Sequence, residues 1–205
     1  GETDMPTESV AHTRRRMLWS LYCNLAAVVL EIVGLVLSIR LHGAALFQFY
    51  TQDSNLFALA AFTVIAVYTA RALRTGSPVP AWAVTMKFLA TSCLAVTFTV
   101  VVFVLSPMEG EGGYGMMLFY GSMLYHHFLC PLLAFFSFIF LEAAPADARR
   151  AARLSLIPTA VYAAVAIALN LLKVLDGPYP FLHVYEQPAY MSVFWCVVIV
   201  GSAYL

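Results

Sequence analysis

Long apolar stretches separated by short polar connections run through almost the whole chain. A helix that crosses the bilayer core needs roughly 20 mostly apolar residues. Six stretches meet this requirement, near residues 17–39, 54–71, 81–105, 116–142, 153–175 and 189–205. The connections are too short to hold a separate soluble domain. The pattern predicts an all-α polytopic membrane protein, a bundle of six transmembrane helices that forms one domain over residues 1–205.

The basic residues indicate how these helices are oriented. Cytoplasmic loops of membrane proteins carry an excess of lysine and arginine. Eight arginines fall on one side of the predicted bundle: Arg14, Arg15, Arg16, Arg71, Arg74, Arg149, Arg150 and Arg153. We therefore expect both termini to be cytoplasmic and segments 40–53, 106–115 and 176–188 to face outward.

Composition agrees with a membrane protein and excludes several other classes. Hydrophobic residues make up 62% of the chain and charged residues 11%, whereas soluble domains carry about 25% charged residues. The net charge is zero, so membrane lipids are the expected partners and a nucleic-acid partner is not. The four cysteines stand singly within apolar segments, which indicates neither a disulfide framework nor a cysteine zinc site.

Thr51 and His126 are the candidate chemical pair. Thr51 precedes the second apolar segment, and His126 lies inside the fourth. Ionisable groups are costly in hydrocarbon, so a membrane histidine indicates a functional site. A hydroxyl and an imidazole together are the minimal equipment for covalent acyl transfer. His126 is expected roughly 15 Å below the outer surface, so the segment before the second helix must dip inward to bring Thr51 to it.

Other polar residues are expected to support this pair in one outward-opening cavity. Thr51, Ser54 and Asn55 would share a helix face, whereas Asp53 would point away from it. His126 and His127 are about 100° apart on a regular helix, so at most one of them faces the cavity squarely. The candidate supporting residues are Asp53, Ser54, Asn55, Glu31, His127 and Asn170.

Each of these residues also has a purely structural explanation. A threonine or serine at a helix start is usually an N-cap, and a membrane histidine is often an interhelical hydrogen-bonding group. Lys87 lies near the cytoplasmic end of its segment and is expected to extend its amine towards the membrane surface. An interfacial aromatic belt is expected to contain Tyr50, Trp82, Tyr114, Tyr179 and Tyr185.

The chain resembles the androgen-induced-gene family of membrane threonine hydrolases, which cleave fatty acid esters of hydroxy fatty acids. Three short motifs carry the resemblance: Phe49-Tyr50-Thr51 before the second segment, His126 five positions before Pro131, and Tyr179-Pro180-Phe181-Leu182 in the last outer loop. The Thr-x-x-Ser-Asn form of the first motif is similar to the bacterial branch. The animal members have an aspartate three residues after the threonine, where this chain has Ser54.

The resemblance implies a lipid-ester hydrolase of the bacterial inner membrane that acts on long-chain fatty acyl esters. It places the catalytic threonine at Thr51 and the catalytic histidine at His126, and it requires no cofactor or metal. Ser54, Asn55 or backbone N–H groups would hold the oxyanion, and Asp53 or Glu31 would orient the imidazole.

Three alternatives remain open at this point. A metal-dependent intramembrane hydrolase would use His126, His183 and Asp53 around zinc, although no HxxxH or HExxH spacing supports it. A non-catalytic protein would use the same cavity to bind or transport a lipid or small molecule. A purely structural membrane protein would show neither turnover nor saturable binding. No GxxxG pair indicates a dimer interface.

Overall fold

The computed structural model describes residues 7–203, with side chains described from residue 11 onward. Within these residues the chain is helical and has no β-strand. A 3₁₀ turn, Gly43–Gln48, connects the first two helices, and another, Pro180–Leu182, lies in the last connection. The helices are α1 (Thr7–His42), α2 (Tyr50–Thr75), α3 (Ala81–Met108), α4 (Gly113–Phe119), α5 (Leu124–Leu141), α6 (Ala148–Leu171) and α7 (Ala189–Ser202).

Five of the described helices, α1, α2, α3, α5 and α6, are long and apolar enough to cross a membrane. Many large apolar side chains on their outer faces are exposed, among them Val29, Val67 and Ile139, as expected where lipid covers them. The chain is therefore an integral membrane protein by the length and composition of its helices. The predicted sixth segment is different, because α7 has only 14 residues; residues 204–205 of that segment lie outside the described residues.

Small residues let the central helices approach closely. α1 packs against α2 and α5, and α2 also packs against α3. Most of the buried residues between them are alanines, which leave room for tight contact between backbones. This cluster consists of Ala27, Ala58, Ala61, Phe62, Ala90, Leu94 and Ala134.

The predicted fourth segment is divided into two helices. α4 ends at Phe119 and α5 begins at Leu124. Between them Tyr120 is extended and Gly121 has a φ of +55°, a left-handed conformation that favours glycine. The histidines therefore lie within the first two turns of α5 and not about ten residues into a continuous helix.

Two helices contain π-helical turns, in which backbone hydrogen bonds join residues five positions apart. One is Val101–Leu105 in α3, and the other is Leu124–Leu129 at the start of α5. Such wide turns occur frequently at functional sites. The second turn contains both His126 and His127, so it sets the directions in which the two rings project.

Lys87 does not extend to the membrane surface as expected. Its side chain is fully buried between α1, α3 and α5. Its Nζ donates to Asn24 Oδ1 at 2.6 Å and Ser137 Oγ at 2.9 Å, and it lies 3.1 Å from Glu142 Oε1. The partners explain the burial, because a charge in an apolar interior must be paired and hydrogen-bonded.

Candidate functional site

Thr51 lies in the first turn of α2 and is buried, with 6% of its surface exposed. The 3₁₀ turn Gly43–Gln48 leads the chain back into the bundle before α2 begins. Phe49 is the N-cap residue, and it is extended and provides no side-chain cap. Thr51 is consequently not the N-cap of α2, and its hydroxyl is available for another partner.

That partner is His127. Its Nε2 lies 3.2 Å from Thr51 Oγ1, and its Nδ1 lies 2.7 Å from the Met117 carbonyl oxygen. Because a carbonyl can only accept, Nδ1 must carry the proton, and in the neutral ring Nε2 then has a free lone pair. The Thr51 hydroxyl donates to that lone pair. This is the arrangement of a hydroxyl nucleophile, a general base and a group that fixes the tautomer of the base.

The expected hydrogen bond between Thr51 and His126 does not form, because the His126 ring projects towards α1. His126 Nε2 lies 3.4 Å from both the backbone oxygen and the Oε2 of Glu31. Gly34 permits this approach, since a Cβ at that position would collide with the His126 ring. Glu31 therefore orients His126 and not the histidine that contacts Thr51.

Ser54 and Asn55 both donate hydrogen bonds to the Thr51 carbonyl oxygen in the first turn of α2. Ser54 Oγ donates to the Thr51 carbonyl at 3.0 Å and lies 2.9 Å from Thr97 Oγ1. Asn55 Nδ2 donates to the Thr51 carbonyl at 2.7 Å and to the His126 carbonyl at 3.3 Å. Both side chains use their donors on backbone oxygens, so they position Thr51 and α5 and do not supply an oxyanion hole.

Asp53 and Asn170 lie away from the Thr51 hydroxyl. Asp53 is exposed, as its helical phase predicted, and it does not orient either buried histidine. Asn170 instead anchors the connection between α6 and α7. Its Nδ2 donates to the Asp176 carbonyl at 2.8 Å, and its Oδ1 accepts from Val184 N at 2.9 Å.

The three proposed zinc ligands do not lie together. His183 lies in the outer connection, where Nδ1 is 2.9 Å from Glu186 Oε2 and Nε2 is 2.9 Å from the Gly177 carbonyl oxygen. In the part of the chain that the structure describes, no three histidine, cysteine, aspartate or glutamate side chains are grouped so that they could hold a metal ion. His126, His183 and Asp53 accordingly do not form a metal centre.

An apolar cavity adjoins Thr51. The cavity volume is about 40 Å³, and the roughly 520 Å³ of unfilled space around it includes the open surroundings. Its walls come from α3, α6, α7 and the connection before α7, and they are mostly aliphatic and aromatic. The residues that line it include Val100, Leu105, Ala163, Phe181, Trp195 and Ile199. A hydrocarbon chain is the chemical group that such walls accommodate.

Tyr179 was expected at the membrane interface, but it lies in the site. It is 8% exposed and lines the cavity, whereas Trp82, Tyr114 and Tyr185 are at least half exposed, as expected of an interfacial belt. The Thr51 N–H donates to Tyr179 Oη over 3.5 Å. The signal that could have located it was its place in the Tyr-Pro-Phe-Leu motif, since a tyrosine alone does not distinguish a belt from a site.

The geometry thus assembles a buried threonine, a histidine with a fixed tautomer and a tyrosine hydroxyl at one end of an apolar cavity. Comparisons with known proteins add no assignment to this arrangement. No protein-family model matches the chain, and no significant match was found among curated proteins or solved structures.

Proposed function

We propose that the protein is an integral-membrane hydrolase that cleaves long-chain fatty acyl esters, with Thr51 as nucleophile and His127 as general base. The observation that supports this most is the 3.2 Å contact between Thr51 Oγ1 and His127 Nε2, with Nδ1 bound to the Met117 carbonyl. The adjoining apolar cavity supports a long acyl chain as the bound part of the substrate.

In the first half-reaction, Thr51 Oγ attacks the ester carbonyl carbon while its proton passes to His127 Nε2. The tetrahedral intermediate then collapses and the bond from the carbonyl carbon to the alcohol oxygen breaks. The imidazolium returns the proton to that oxygen, so a neutral alcohol leaves and the acyl group stays on Thr51. The Met117 carbonyl keeps the ring in place throughout, because it accepts from Nδ1 in both protonation states.

In the second half-reaction, water attacks the acyl-threonine carbonyl. His127 takes one proton from the water and returns it to Thr51 Oγ as the ester bond breaks. The products are a free fatty acid and the restored enzyme. All proton transfers use His127 Nε2. The second half-reaction is the reverse of the first with water in place of the alcohol, so it needs the same arrangement of Thr51 and His127.

The negative oxygen of each intermediate needs donors that are already in place. Thr51 N–H is at the N-terminus of α2, where backbone N–H groups lie outside the helical ladder and the helix dipole favours negative charge. Its bond to Tyr179 Oη is long at 3.5 Å, so a substrate oxygen can replace it. Tyr179 then donates its own hydroxyl proton to the same oxygen.

We also propose the finer membrane topology. α7 would complete a bundle of six spans, with both termini on the cytoplasmic side and the Thr51 site in the outer half. The arginine distribution supports this orientation. The similarity of the Thr51 motif to the bacterial branch supports placement in a bacterial inner membrane.

The test is hydrolysis of a long-chain fatty acyl ester by the purified protein in detergent or lipid nanodiscs. Thr51→Val keeps the side-chain shape, so it should abolish turnover with little change in thermal stability. Thr51→Ser should retain activity, because it keeps the hydroxyl. Normal turnover by Thr51→Val would overturn the assignment of the nucleophile.

The two histidines provide the second comparison. His127→Ala should reduce kcat by roughly 10²- to 10⁴-fold, whereas His126→Ala should act mainly on stability. The reverse result would transfer the general base to His126, as the family resemblance implies. A wild-type protein that binds long-chain esters saturably but cleaves none would favour the alternative, a lipid-binding or transport protein.

A further inference from the structure

A second, polar pocket lies between α1, α2 and α5, and it is separate from the apolar cavity. Its walls include Glu31, Gln52, Asn55 and His126. All four side chains are almost completely buried, with 1–6% of their surface exposed. Each has one atom without a hydrogen-bond partner: Glu31 Oε1, Gln52 Oε1, Asn55 Oδ1 and His126 Nδ1. Buried polar atoms without partners are rare in folded proteins.

The hydrogen bonds of these residues show that the unpartnered atoms are acceptors. Asn55 uses Nδ2 on two backbone carbonyls, which leaves its Oδ1 for the pocket. His126 Nε2 faces two Glu31 oxygens, so in the neutral ring Nε2 carries the proton and Nδ1 has a lone pair. Two donors lie beside the Glu31 carboxyl: His126 Nε2, 3.4 Å from Oε2, and the Cys130 thiol, which is a weak donor. Glu31 Oε1 accepts from neither.

We propose that this pocket binds one sodium ion, with Glu31, Gln52 and Asn55 as its oxygen ligands. Hard cations prefer carboxylate and carbonyl oxygens. One positive charge balances the single carboxylate. A proton on Glu31 would supply one donor and leave the other acceptors without partners.

The size of the pocket favours sodium over the alternatives. It has no room for the centre of a water-sized sphere, and the roughly 160 Å³ of unfilled space there includes the open surroundings. A sodium ion is smaller than water, whereas potassium is about as large. Magnesium and calcium carry two positive charges, which the single carboxylate does not balance, and magnesium usually keeps several water ligands.

The pocket lies beside the start of α2. Gln52 is in the first turn of α2, and the pocket extends from there to Glu31 and Leu59. Asn55 also holds the Thr51 carbonyl at 2.7 Å, so a bound ion would stiffen the start of α2. The sodium site does not depend on the proposed hydrolysis, and its test requires no substrate.

The experiment measures thermal unfolding of the purified wild-type protein in sodium chloride, potassium chloride and choline chloride at equal ionic strength. Sodium should raise the midpoint by roughly 3–6 °C at ten times its Kd, and further with the logarithm of its concentration. The rise should be larger than with potassium. Glu31→Gln should abolish this shift. Glu111→Gln, the same change on an exposed turn, should retain it.

A second measurement covers the case in which Glu31→Gln does not fold. Binding of radioactive sodium to the wild-type protein should saturate near one ion per chain, and Gln52→Leu should weaken it at least tenfold. Identical midpoints in sodium and choline, or a full sodium shift in folded Glu31→Gln, would overturn the proposal. Saturation without any effect of Gln52→Leu would also overturn it, because the ion would then bind elsewhere.

Discussion

At the residue scale, two adjacent histidines serve different parts of the molecule. His127 contacts Thr51, and His126 contacts Glu31. The sequence predicted that at most one of them could face the site squarely, and the family resemblance selected His126, whereas His127 is the one that contacts Thr51. That choice depends on the rotation of α5, and no local pattern of apolar and polar residues fixes the rotation of a helix that is apolar nearly all round.

Tyr179→Phe tests the oxyanion role of the tyrosine hydroxyl. The substitution should lower kcat by roughly 10²-fold. Thermal stability should change little, because the ring keeps its stacking on Phe181, with centroids 5.2 Å apart. The measurement is steady-state ester hydrolysis alongside thermal unfolding.

Tyr185→Phe is the matched control. It also loses a hydroxyl hydrogen bond, to the Leu171 carbonyl at 2.8 Å, but the tyrosine is exposed and outside the cavity. Its kcat should equal that of the wild-type protein. Equal losses in the two variants would mean that Tyr179 acts only by holding the outer connection.

At the element scale, apolar length predicted the five helices long enough to span a membrane, although the starts of α1 and α5 differ from the predicted ones by ten and eight residues. Long runs such as 81–105 carry that information directly. The break between α4 and α5 was not predicted, because Tyr120, Gly121 and Ser122 are compatible with both a helix and a turn. The break places His127 near the start of its helix, at the level of Thr51. A continuous helix would instead have placed the histidine deeper in the membrane than Thr51.

Lys87 and Glu142 tie three helices together at the opposite end of the bundle from Thr51. Lys87→Met should destabilise the protein by about 3–5 kcal/mol, because Glu142 is left buried without its charge partner. Adding Glu142→Gln should recover part of this loss. The measurement is the free energy of unfolding in mixed micelles for the single and double variants.

The double variant distinguishes a specific pair from general damage to packing. If Lys87→Met and Glu142→Gln simply add, the two residues do not interact energetically. The cation–π contact of Lys87 with the Phe62 ring, at 4.6 Å from the centroid, is lost in every variant that lacks the lysine and so cancels in the comparison.

At the scale of the whole molecule, the connection between α6 and α7 covers the Thr51 end and is held by His183. Both His183 ring nitrogens face acceptors, so the ring donates twice only when it is protonated. The Gly177 carbonyl, and then the Glu186 carboxylate, raise the pKa of His183 above its ordinary value of 6.5.

Because this pKa is raised on folding, the stabilisation is fully present below pH 6.5 and is lost as pH rises through the folded pKa. Residues 176–188 should therefore exchange amide hydrogens faster at higher pH, beyond the intrinsic increase. Hydrogen-exchange mass spectrometry on wild type and His183→Gln measures this. The pH-dependent excess should disappear in the variant; if it persists, His183 is not its source.

The orientation in the membrane is tested by cysteine labelling in a background in which Cys23, Cys93, Cys130 and Cys196 are alanine. An impermeant maleimide added outside intact cells should label Glu111→Cys and spare Ala146→Cys. Both positions are exposed, so a difference reports the side of the membrane. Labelling of Ala146→Cys alone would invert the proposed topology.

The π-helical turn at Leu124–Leu129 affects how this chain can change by insertion and deletion. A wide turn holds one more residue than an α-helical turn. Deleting one residue between Met123 and His126 would let the turn close and would rotate the upstream residues by about 100° relative to Pro131. A histidine that keeps its distance from the proline in two homologous chains can therefore face different neighbours in each. Counting five positions back from Pro131 selects His126 in this chain, whereas the histidine that contacts Thr51 is His127.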